Sequence, residues 1–240
     1  MKKINIGIIG YGSFGSFLAE KLKGMNLKVN SLDKSTVPPK LWAEMEDIAK
    51  CDYLILAIPF SSYPHVLGEL QKTISPQAIL VDVASIKEQP LKLIKQYLPN
   101  QKIIATHPLF GPQSASKSLE GHTLIICNEF SSAEETEKLE PLLKKSKLNL
   151  VRMSAIEHDQ LMARLQALTF FVARALDRMG VRELPVMTPS YEELIDLAKL
   201  EHEHSEQLFE TIQKGNRFAK EIRGLFIEEL RRLDEGLLAK

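Results

Sequence analysis

Apolar residues in the first two thirds of the chain fall into short continuous runs, separated by amphipathic stretches of helical period. The runs have the length and β-branched content of buried strands; they are INIGIIG, LKVNSLD, DYLILAIP, AILVDVAS, KIIATHP, HTLIICN and LNLVRM. Stretches between them, such as SFGSFLAEKLKGMN, PPKLWAEMEDIAK and KEQPLKLIKQYL, predict helices. This alternation predicts β-α-β crossovers and a mostly parallel sheet that helices cover on both faces.

The strand pattern stops after about residue 152. Three helical stretches follow: a long one that ends at Gly180, one whose capping box pairs Ser190 with Glu193, and a last long one over residues 206–234. We therefore expect an α/β domain over residues 1–152 and an all-helical domain over residues 153–240. Because the helical part has apolar stripes on more than one face, we expect it to form a homodimer.

Composition narrows the class of protein. Apolar residues make up 44% of the chain, and 31 Lys and Arg balance 31 Asp and Glu. A neutral chain lacks the electrostatic footprint of proteins that bind nucleic acid or anionic membranes, so we expect neither partner. Cys51 and Cys127 indicate reduced thiols, not a disulfide framework. No apolar run approaches the about 20 residues that span a bilayer, and no cleavage-type site follows the first run, so we expect a cytoplasmic protein.

The turn after the first predicted strand has the sequence GYGSFG, over residues 10–15. It matches the G-x-G-x-x-G fingerprint in the strand–turn–helix context that dinucleotide binding requires. Gly10 allows the tight turn, Gly12 lets the backbone approach a pyrophosphate, and Gly15 lets helix and strand pack closely. The free N–H groups of the helix N-terminus then face the phosphates. The fold expected is a Rossmann-type, doubly wound α/β domain.

The end of the second predicted strand bears on the choice of cofactor. In this fold an acidic residue about 20 residues after the glycines holds a ribose 2′-OH, and Asp33 stands there. A carboxylate repels the 2′-phosphate of NADP, so Asp33 favours NAD, whereas Lys34 could bind that phosphate. We assign dinucleotide binding to the turn and to these strand ends: Gly10, Gly12, Ser13, Phe14, Gly15, Asp33, Lys34 and Pro59.

Three further polar or rigid positions follow strands of the predicted sheet. Pro59 follows LILAI, Ser85 follows ILVDVA, and His107 follows KIIAT. Ligands of such sheets bind beyond the carboxyl ends of the strands. A neutral histidine there could accept a hydroxyl proton during hydride transfer. Pro108 and Pro112 would stiffen the chain around it.

The segments IIGYGSFGSFLA, VDVASIKEQP, THPLFGPQSA and SAIEHDQLMARLQAL together resemble the prephenate/arogenate dehydrogenase family of tyrosine biosynthesis. The resemblance runs over nearly the whole chain, and the H-P-[LM]-F-G-P run carries its specificity. It implies a dinucleotide domain, a helical dimerisation domain and an NAD(P)-dependent oxidative decarboxylation of a small anionic cyclohexadienyl substrate. It places His107 as the catalytic base and Ser85 as the serine that hydrogen-bonds either this histidine or the substrate hydroxyl group. We also assign Ser114 to substrate binding.

Two positions depart from the prephenate-specific pattern. An arginine that binds the ring carboxylate aligns with Lys199 or Leu200, and a second histidine aligns with Phe170. The resemblance therefore favours the arogenate-specific branch. Lys199 can supply the positive charge without the bidentate fork of arginine, and Arg217 and Arg164 are further candidate anion binders. We also expect no chorismate mutase bundle before residue 1 and no regulatory domain after the last helix, so no separate tyrosine-binding domain would inhibit the enzyme.

The sequence also allows other interpretations. His202 and His204 lack the i, i+4 spacing of a helical zinc pair, so we expect no metal. Another hydride enzyme, such as a pyrroline-carboxylate reductase or a β-hydroxyacid dehydrogenase, would share the architecture. The latter needs a catalytic lysine early in the helical domain, and the stretch over residues 154–180 contains none. A non-catalytic dinucleotide sensor would keep the glycines and Asp33 but has no need of His107 and Ser85.

Overall fold

The computed structural model describes residues 4–25, 27–32, 48–127 and 133–238. The chain divides into two compact units, Met1–Ala155 and Ile156–Lys240. The boundary lies close to residue 152, where the strand pattern of the sequence stops. The predicted α/β architecture followed by an all-helical part is confirmed.

The first unit is built on one sheet, which contains seven strands within the described residues in the order β2-β1-β3-β4-β5-β6-β7. Their bounds are β1 Asn5–Ile9, β2 Lys28–Leu32, β3 Tyr53–Leu56, β4 Ile79–Asp82, β5 Lys102–Pro108, β6 Thr123–Cys127 and β7 Asn149–Met153. All neighbouring pairs are parallel except β5 with β6, so the sheet is mostly parallel, as predicted. Strand β1 lies between β2 and β3, so the winding reverses beside its carboxyl end, where ligands of such sheets bind.

Helices connect the strands of this unit. They are α1 Ser13–Gly24, α2 Tyr63–Thr73, α3 Glu88–Tyr97, the short α4 Pro112–Ala115 and α5 Ala133–Lys145, and a 3-10 turn over Phe60–Ser62 precedes α2. Most of the helix predicted over residues 38–50 lies outside the described residues. Strands β1, β3 and β4 are almost wholly buried, because both of their faces are covered, and this explains their continuous apolar runs.

In the second unit, every element of regular structure within the described residues is a helix. They are α6 Ala155–Met162, α7 Thr169–Arg178, α8 Pro189–Glu203, α9 Glu206–Glu210 and α10 Ala219–Leu238, with wider π-helical turns over Ala163–Leu168 and Thr211–Gly215. The two π turns contact each other: Gln213 Nε2 donates to the Ala167 carbonyl at 2.6 Å, and Ile212 packs with Ala167. The hydrophobic period predicted the long helices but not these turns.

Two predictions about this unit are wrong in detail. The N-cap of α8 is Thr188, whose hydroxyl accepts from the Tyr191 N–H at 3.3 Å, and not Ser190. Pro189 suits the first helical position because its nitrogen has no hydrogen to donate. The single helix predicted over residues 206–234 is broken at Asn216, which has an extended backbone. Its amide accepts from the Phe218 N–H at 3.0 Å and donates to the Asp159 carbonyl at 2.6 Å, bonds that replace the interrupted helical ones.

Replacing Asn216 with Ala tests this account of the break. The variant leaves the Asp159 carbonyl and the Phe218 N–H without these partners, so we expect the free energy of unfolding to fall by about 1–3 kcal/mol. Urea denaturation followed by circular dichroism measures it. Asn149→Ala is the control, because the Asn149 amide donates to the Gly121 carbonyl from an exposed position and its loss should cost about 0.5 kcal/mol. Equal losses in both variants would contradict the account.

Candidate active site

The glycine turn between β1 and α1 allows a close approach of backbone to backbone. Gly10 has a φ of +100°, and a Cβ built there would lie 2.2 Å from the Ala57 carbonyl oxygen. A Cβ on Gly15 would lie 2.0 Å from the Gly10 carbonyl oxygen. Both positions therefore require glycine for the fold itself.

Gly12 differs from its two neighbours in the motif. A Cβ on Gly12 would meet no protein atom within 4 Å, so the fold does not require a glycine there. Gly12 is the N-cap of α1, no side chain caps the first turn, and no acidic residue lies in that turn. The result is an open helix N-terminus with its N–H groups available to an anion, and the space that a Cβ would fill is free for a pyrophosphate. The turn thus fits a dinucleotide.

A buried polar network lies at the carboxyl ends of β4 and β5, and we call it the Lys87 network: Tyr63, Asp82, Lys87 and Thr106. Lys87 Nζ forms an ion pair with Asp82 and donates to the Thr106 carbonyl at 2.5 Å. Tyr63 donates its hydroxyl to Asp82 Oδ1 at 2.5 Å. The side chains of Tyr63, Asp82 and Lys87 are fully buried. Desolvation, with the nearby charge of Asp82, raises the pKa of Tyr63 well above its usual value, so its hydroxyl stays protonated and donates.

The two predicted catalytic residues adjoin this network. His107 directly follows Thr106, is the penultimate residue of β5 and is only 3% exposed. Ser85 lies in the half-buried segment that leads from β4 to α3. Strands β4 and β5 pair in parallel, and their pairing ends at Asp82 and Ala105. Ser85 and His107 follow these two positions, so they stand at the same edge of the sheet. The sequence predicted Ser85 and His107 as site residues but did not single out Lys87, although VDVASIK contains it.

The segment after His107 packs on helix α1. The Phe110 ring contacts the Phe17 ring edge-on, with centroids 6.5 Å apart, and lies 5.6 Å from the His122 ring. Lys21 Nζ donates to the Ser116 carbonyl at 2.5 Å. The segment after β5 and helix α1 therefore pack against each other.

The other predicted site residues of the first unit lie nearby in the chain but play different local roles. Ser13 and Pro59 are exposed, Pro59 just before the 3-10 turn that follows β3. The half-buried Phe14 ring contacts Phe17, with centroids 6.1 Å apart. Ser114 is exposed in α4 and accepts from the Gly111 N–H at 3.1 Å. Asp33 and Lys34 lie outside the described residues.

The predicted anion binders belong to the helical unit, and both are exposed. Lys199 lies 3.2 Å from Asp196 and 3.9 Å from Glu183, beside a surface cleft lined by charges of both signs. The Arg217 guanidinium stands over the Phe218 ring, 4.5 Å from its centroid. Lys199 thus stands among carboxylates, but exposed ion pairs of this kind are weak and leave its charge accessible to an anion.

The histidines of this unit have separate partners. His204 stacks on Phe170, with centroids 4.6 Å apart, whereas His202 lies 3.2 Å from Asp177 Oδ1. His158 is fully buried and bonded to the Asp159 carboxylate at 2.8 Å. Within the ranges that the structure describes, no group of three or more metal-binding side chains comes together. No helix in the described part of the chain combines the length and the hydropathy needed to traverse a bilayer.

The fold and the site define a class of protein. A mostly parallel sheet with a reversal of winding beside an open glycine turn, and with a buried histidine at the same edge, is the arrangement of a dinucleotide-binding α/β protein. The family model described as prephenate dehydrogenase, nucleotide-binding domain, matches residues 39–152. The chain belongs to the prephenate/arogenate dehydrogenase family, whose characterised members are oxidoreductases.

Similar proteins support this membership. Arogenate dehydrogenase 2, chloroplastic, of Arabidopsis thaliana is 29% identical over 247 residues, which cover 96% of this chain and 67% of that protein. Arogenate dehydrogenase 1 of the same plant is 31% identical over 214 residues, which cover 82% of this chain and 33% of that protein. The structure of prephenate dehydrogenase from A. aeolicus, in complex with hydroxyphenyl propionate and NAD+, has a TM-score of 0.77 at 18% identity. It covers 100% of this chain and 92% of its own, and this likeness shows the fold.

The chain spans between a third and two thirds of the length of these plant relatives. The predicted family is confirmed, and the nucleotide-binding domain supports a nicotinamide dinucleotide as cofactor.

Replacing Gly12 and Gly15 separately tests the role of the turn. In Gly12→Ala the new methyl group occupies only the space left for a pyrophosphate. We expect the Kd for NAD or NADP to rise about tenfold or more, or about 1.4 kcal/mol, while the free energy of unfolding changes by about 1 kcal/mol or less. Gly15→Ala should instead destabilise the fold by about 1–3 kcal/mol, because its methyl group meets the Gly10 carbonyl.

Calorimetric titration measures the Kd, and urea denaturation measures the stability of each variant. Gly24→Ala is the matched control, since this exposed glycine at the end of α1 also has open space around it. Unchanged dinucleotide affinity in Gly12→Ala would show that the turn does not bind the phosphates.

Proposed function

We propose that the protein is an NAD(P)-dependent dehydrogenase that oxidatively decarboxylates arogenate to tyrosine, with prephenate as the alternative substrate. One observation carries the proposal: His107 is buried at the end of β5, inside the family-specific run THPLFGPQSA and at the sheet edge that also carries the glycine turn. A dinucleotide sensor has no use for a buried histidine at this place. Membership of the family supports the reaction over that of a pyrroline-carboxylate reductase or a β-hydroxyacid dehydrogenase.

The chemistry follows from a cyclohexadienol that carries a ring carboxylate para to its hydroxyl group. A bound nicotinamide supplies the hydride acceptor. His107 accepts the hydroxyl proton as the hydride leaves the same carbon, and Ser85 orients either the imidazole or the hydroxyl group. The ketone that forms is an electron sink for the carboxylate across the ring, so CO2 leaves and the ring becomes aromatic. The burial of His107 strengthens its hydrogen bond to the substrate, because little water competes.

Arogenate is the proposed substrate on two grounds. The two plant relatives are arogenate dehydrogenases by name. Phe170 stands where prephenate-specific members carry a histidine, and its ring packs against Ala167, Ile212 and Ala219. Arg217 and Lys199 are the proposed cations for the substrate carboxylates, with Ser114 as a further polar contact. For the cofactor we propose NAD, because Asp33 would repel a 2′-phosphate.

Turnover assays test the reaction, the substrate and the cofactor together. We expect reduced cofactor to form, followed by its absorbance, with arogenate giving a higher kcat/KM than prephenate and NAD a higher one than NADP. His107→Asn should lower kcat/KM by about 10²- to 10⁴-fold, since the general base is lost, and should leave the Kd for NAD nearly unchanged. His65→Asn, an exposed histidine on α2, is the control.

The reaction assigned here would be rejected if the wild-type protein turned over neither substrate with either cofactor. NAD binding without turnover would identify a dinucleotide sensor instead. Full activity of His107→Asn would reject the role of His107 as the general base but not the proposed reaction.

We propose further that helix α10 forms part of a homodimer interface. Ala219 is its one buried residue among those described, while large apolar side chains along it are half exposed or more: Leu225, Leu230, Leu233, Leu237 and Leu238. Leu230, Leu233 and Leu237 follow the i, i+3, i+7 spacing of one helical face. A stripe of this length on a 20-residue helix needs an apolar partner, and a second copy of the same stripe supplies one with two-fold symmetry.

Leu233→Glu tests the interface, because it places a charge in the middle of the stripe. We expect the wild-type protein to have the mass of a dimer by light scattering and the variant to have that of a monomer. Val186→Glu is the matched control, since this apolar side chain is 85% exposed outside the stripe. A wild-type monomer, or a dimer that Leu233→Glu leaves intact, would contradict the proposal.

A further inference from the structure

The Lys87 network contains charges that the proposed reaction does not use. Among the residues that the structure describes, Lys87 is the only lysine or arginine in the buried interior, with 0% of its surface exposed. Lysine is almost never fully buried unless it is paired, because removing an ammonium group from water is costly. The position of this lysine therefore calls for an explanation.

The ion pair closes the chain segment that carries Ser85. Asp82 ends β4 and Lys87 directly precedes α3, so the two members of the pair are the two ends of that segment. The Ala84 N–H also donates to Asp82 Oδ1 at 3.2 Å. The segment is thus fixed at both ends and once within it, and Ser85 lies between the fixed points.

The same network holds the strand that carries His107. The pairing of β4 with β5 ends at Asp82 and Ala105, so Thr106 lies just beyond it. Lys87 Nζ donates to the Thr106 carbonyl at 2.5 Å, and Thr106 Oγ1 donates to the Asp82 carbonyl at 2.8 Å. The side chains of Lys87 and Thr106 thus connect β4 and the segment after it to β5, one residue beyond the last backbone pair. This connection ends at Thr106, which directly precedes His107.

We propose that Lys87, paired with Asp82, is a positioning residue that fixes Ser85 and His107 relative to each other for proton transfer. The inference rests on the proposed function and deepens it. Lys87 does not touch the reacting atoms; it acts through the segment and the strand that its ammonium group joins. Misplacement of reacting groups by about 1 Å can cost on the order of 100-fold in rate, so a bonded junction at this point has a kinetic effect.

A neutral pair tests the proposal. Lys87→Met combined with Asp82→Asn removes both charges and the bond to Thr106, and it leaves no uncompensated charge in the interior. We expect kcat to fall about 10- to 100-fold with little change in KM or in the Kd for NAD. A KM effect alone, or an unchanged kcat, would overturn the proposal. If the neutral pair does not fold, Lys87→Arg, which keeps the charge but changes the donor geometry, takes the same measurements with the same expected fall in kcat.

The chain offers a matched control on the same strand. Lys102, the first residue of β5, forms an ion pair with the buried Glu135 at 2.5 Å, far along the strand from His107. Lys102→Met combined with Glu135→Gln removes an ion pair of which only the carboxylate is buried, because the Lys102 side chain is 45% exposed. We expect this variant to keep the kcat of the wild-type protein. An equal fall in kcat in the two double variants would indicate general destabilisation and overturn the proposal.

A double-mutant comparison separates positioning from a merely structural role. If the pair acts through Ser85, its removal should cost much less in a Ser85→Ala background than in the wild-type protein. If the fold losses in kcat caused by Ser85→Ala and by removal of the ion pair multiply in the combined variant, the pair does not act through Ser85.

NMR spectra of the His107 ring test the role of Lys87 without turnover, and therefore independently of the proposed function. The ring signals of His107 are assigned in NMR spectra by their loss in His107→Asn. They should shift or broaden in the Lys87→Met/Asp82→Asn variant and stay unchanged in the Lys102→Met/Glu135→Gln variant. Inactivity of the wild-type protein would reject the reaction alone, whereas unperturbed His107 signals would reject the role of Lys87.

Discussion

Backbone groups run out of sheet partners at the carboxyl edge of a parallel sheet, and this constraint shapes the site. At the end of β1 the chain turns sharply at Gly10, and the N-terminus of α1 leaves its own N–H groups open. At the ends of β4 and β5 the side chains of Lys87 and Thr106 take over where the pairing between these two strands stops, although β5 continues to pair with β6 through Pro108. A fold that must satisfy polar groups at this edge therefore leaves both an open helix N-terminus and a hydrogen-bonded frame beside Ser85 and His107.

The sequence predicted those parts of the fold and site whose signals are local. The GYGSFG turn stands between a strand and a helix, and the apolar run KIIATHP coincides with β5, so the glycines and His107 could be placed from a few neighbouring residues. The mostly parallel sheet followed from the regular alternation of strands and helices. The antiparallel pairing of β6 with β5 has no such local signal, since strand direction depends on how the chain returns to the sheet.

The parts that sequence reasoning missed depend on contacts between distant residues. Lysine is ordinarily solvated, and the burial of Lys87 requires Asp82 and the Thr106 carbonyl, with Tyr63 completing the network. The break at Asn216 depends on the Asp159 carbonyl of another helix, although the hydrophobic period continues through it. The contact of Phe110 with Phe17 likewise joins a loop to a helix from the other end of the domain.

Stability alone does not account for a fully buried ion pair at the ends of β4 and β5. The cost of removing both charges from water offsets much of their attraction, and well-packed apolar side chains of similar volume often stabilise a core as well or better. An apolar pair could not, however, bond to the Thr106 carbonyl, and it would fix the segment around Ser85 only through packing. Hydrogen bonds are directional, so Lys87 specifies where the end of this segment lies relative to β5. The ion pair is therefore better explained by the geometry that it imposes on Ser85 and His107 than by the free energy that it adds to folding.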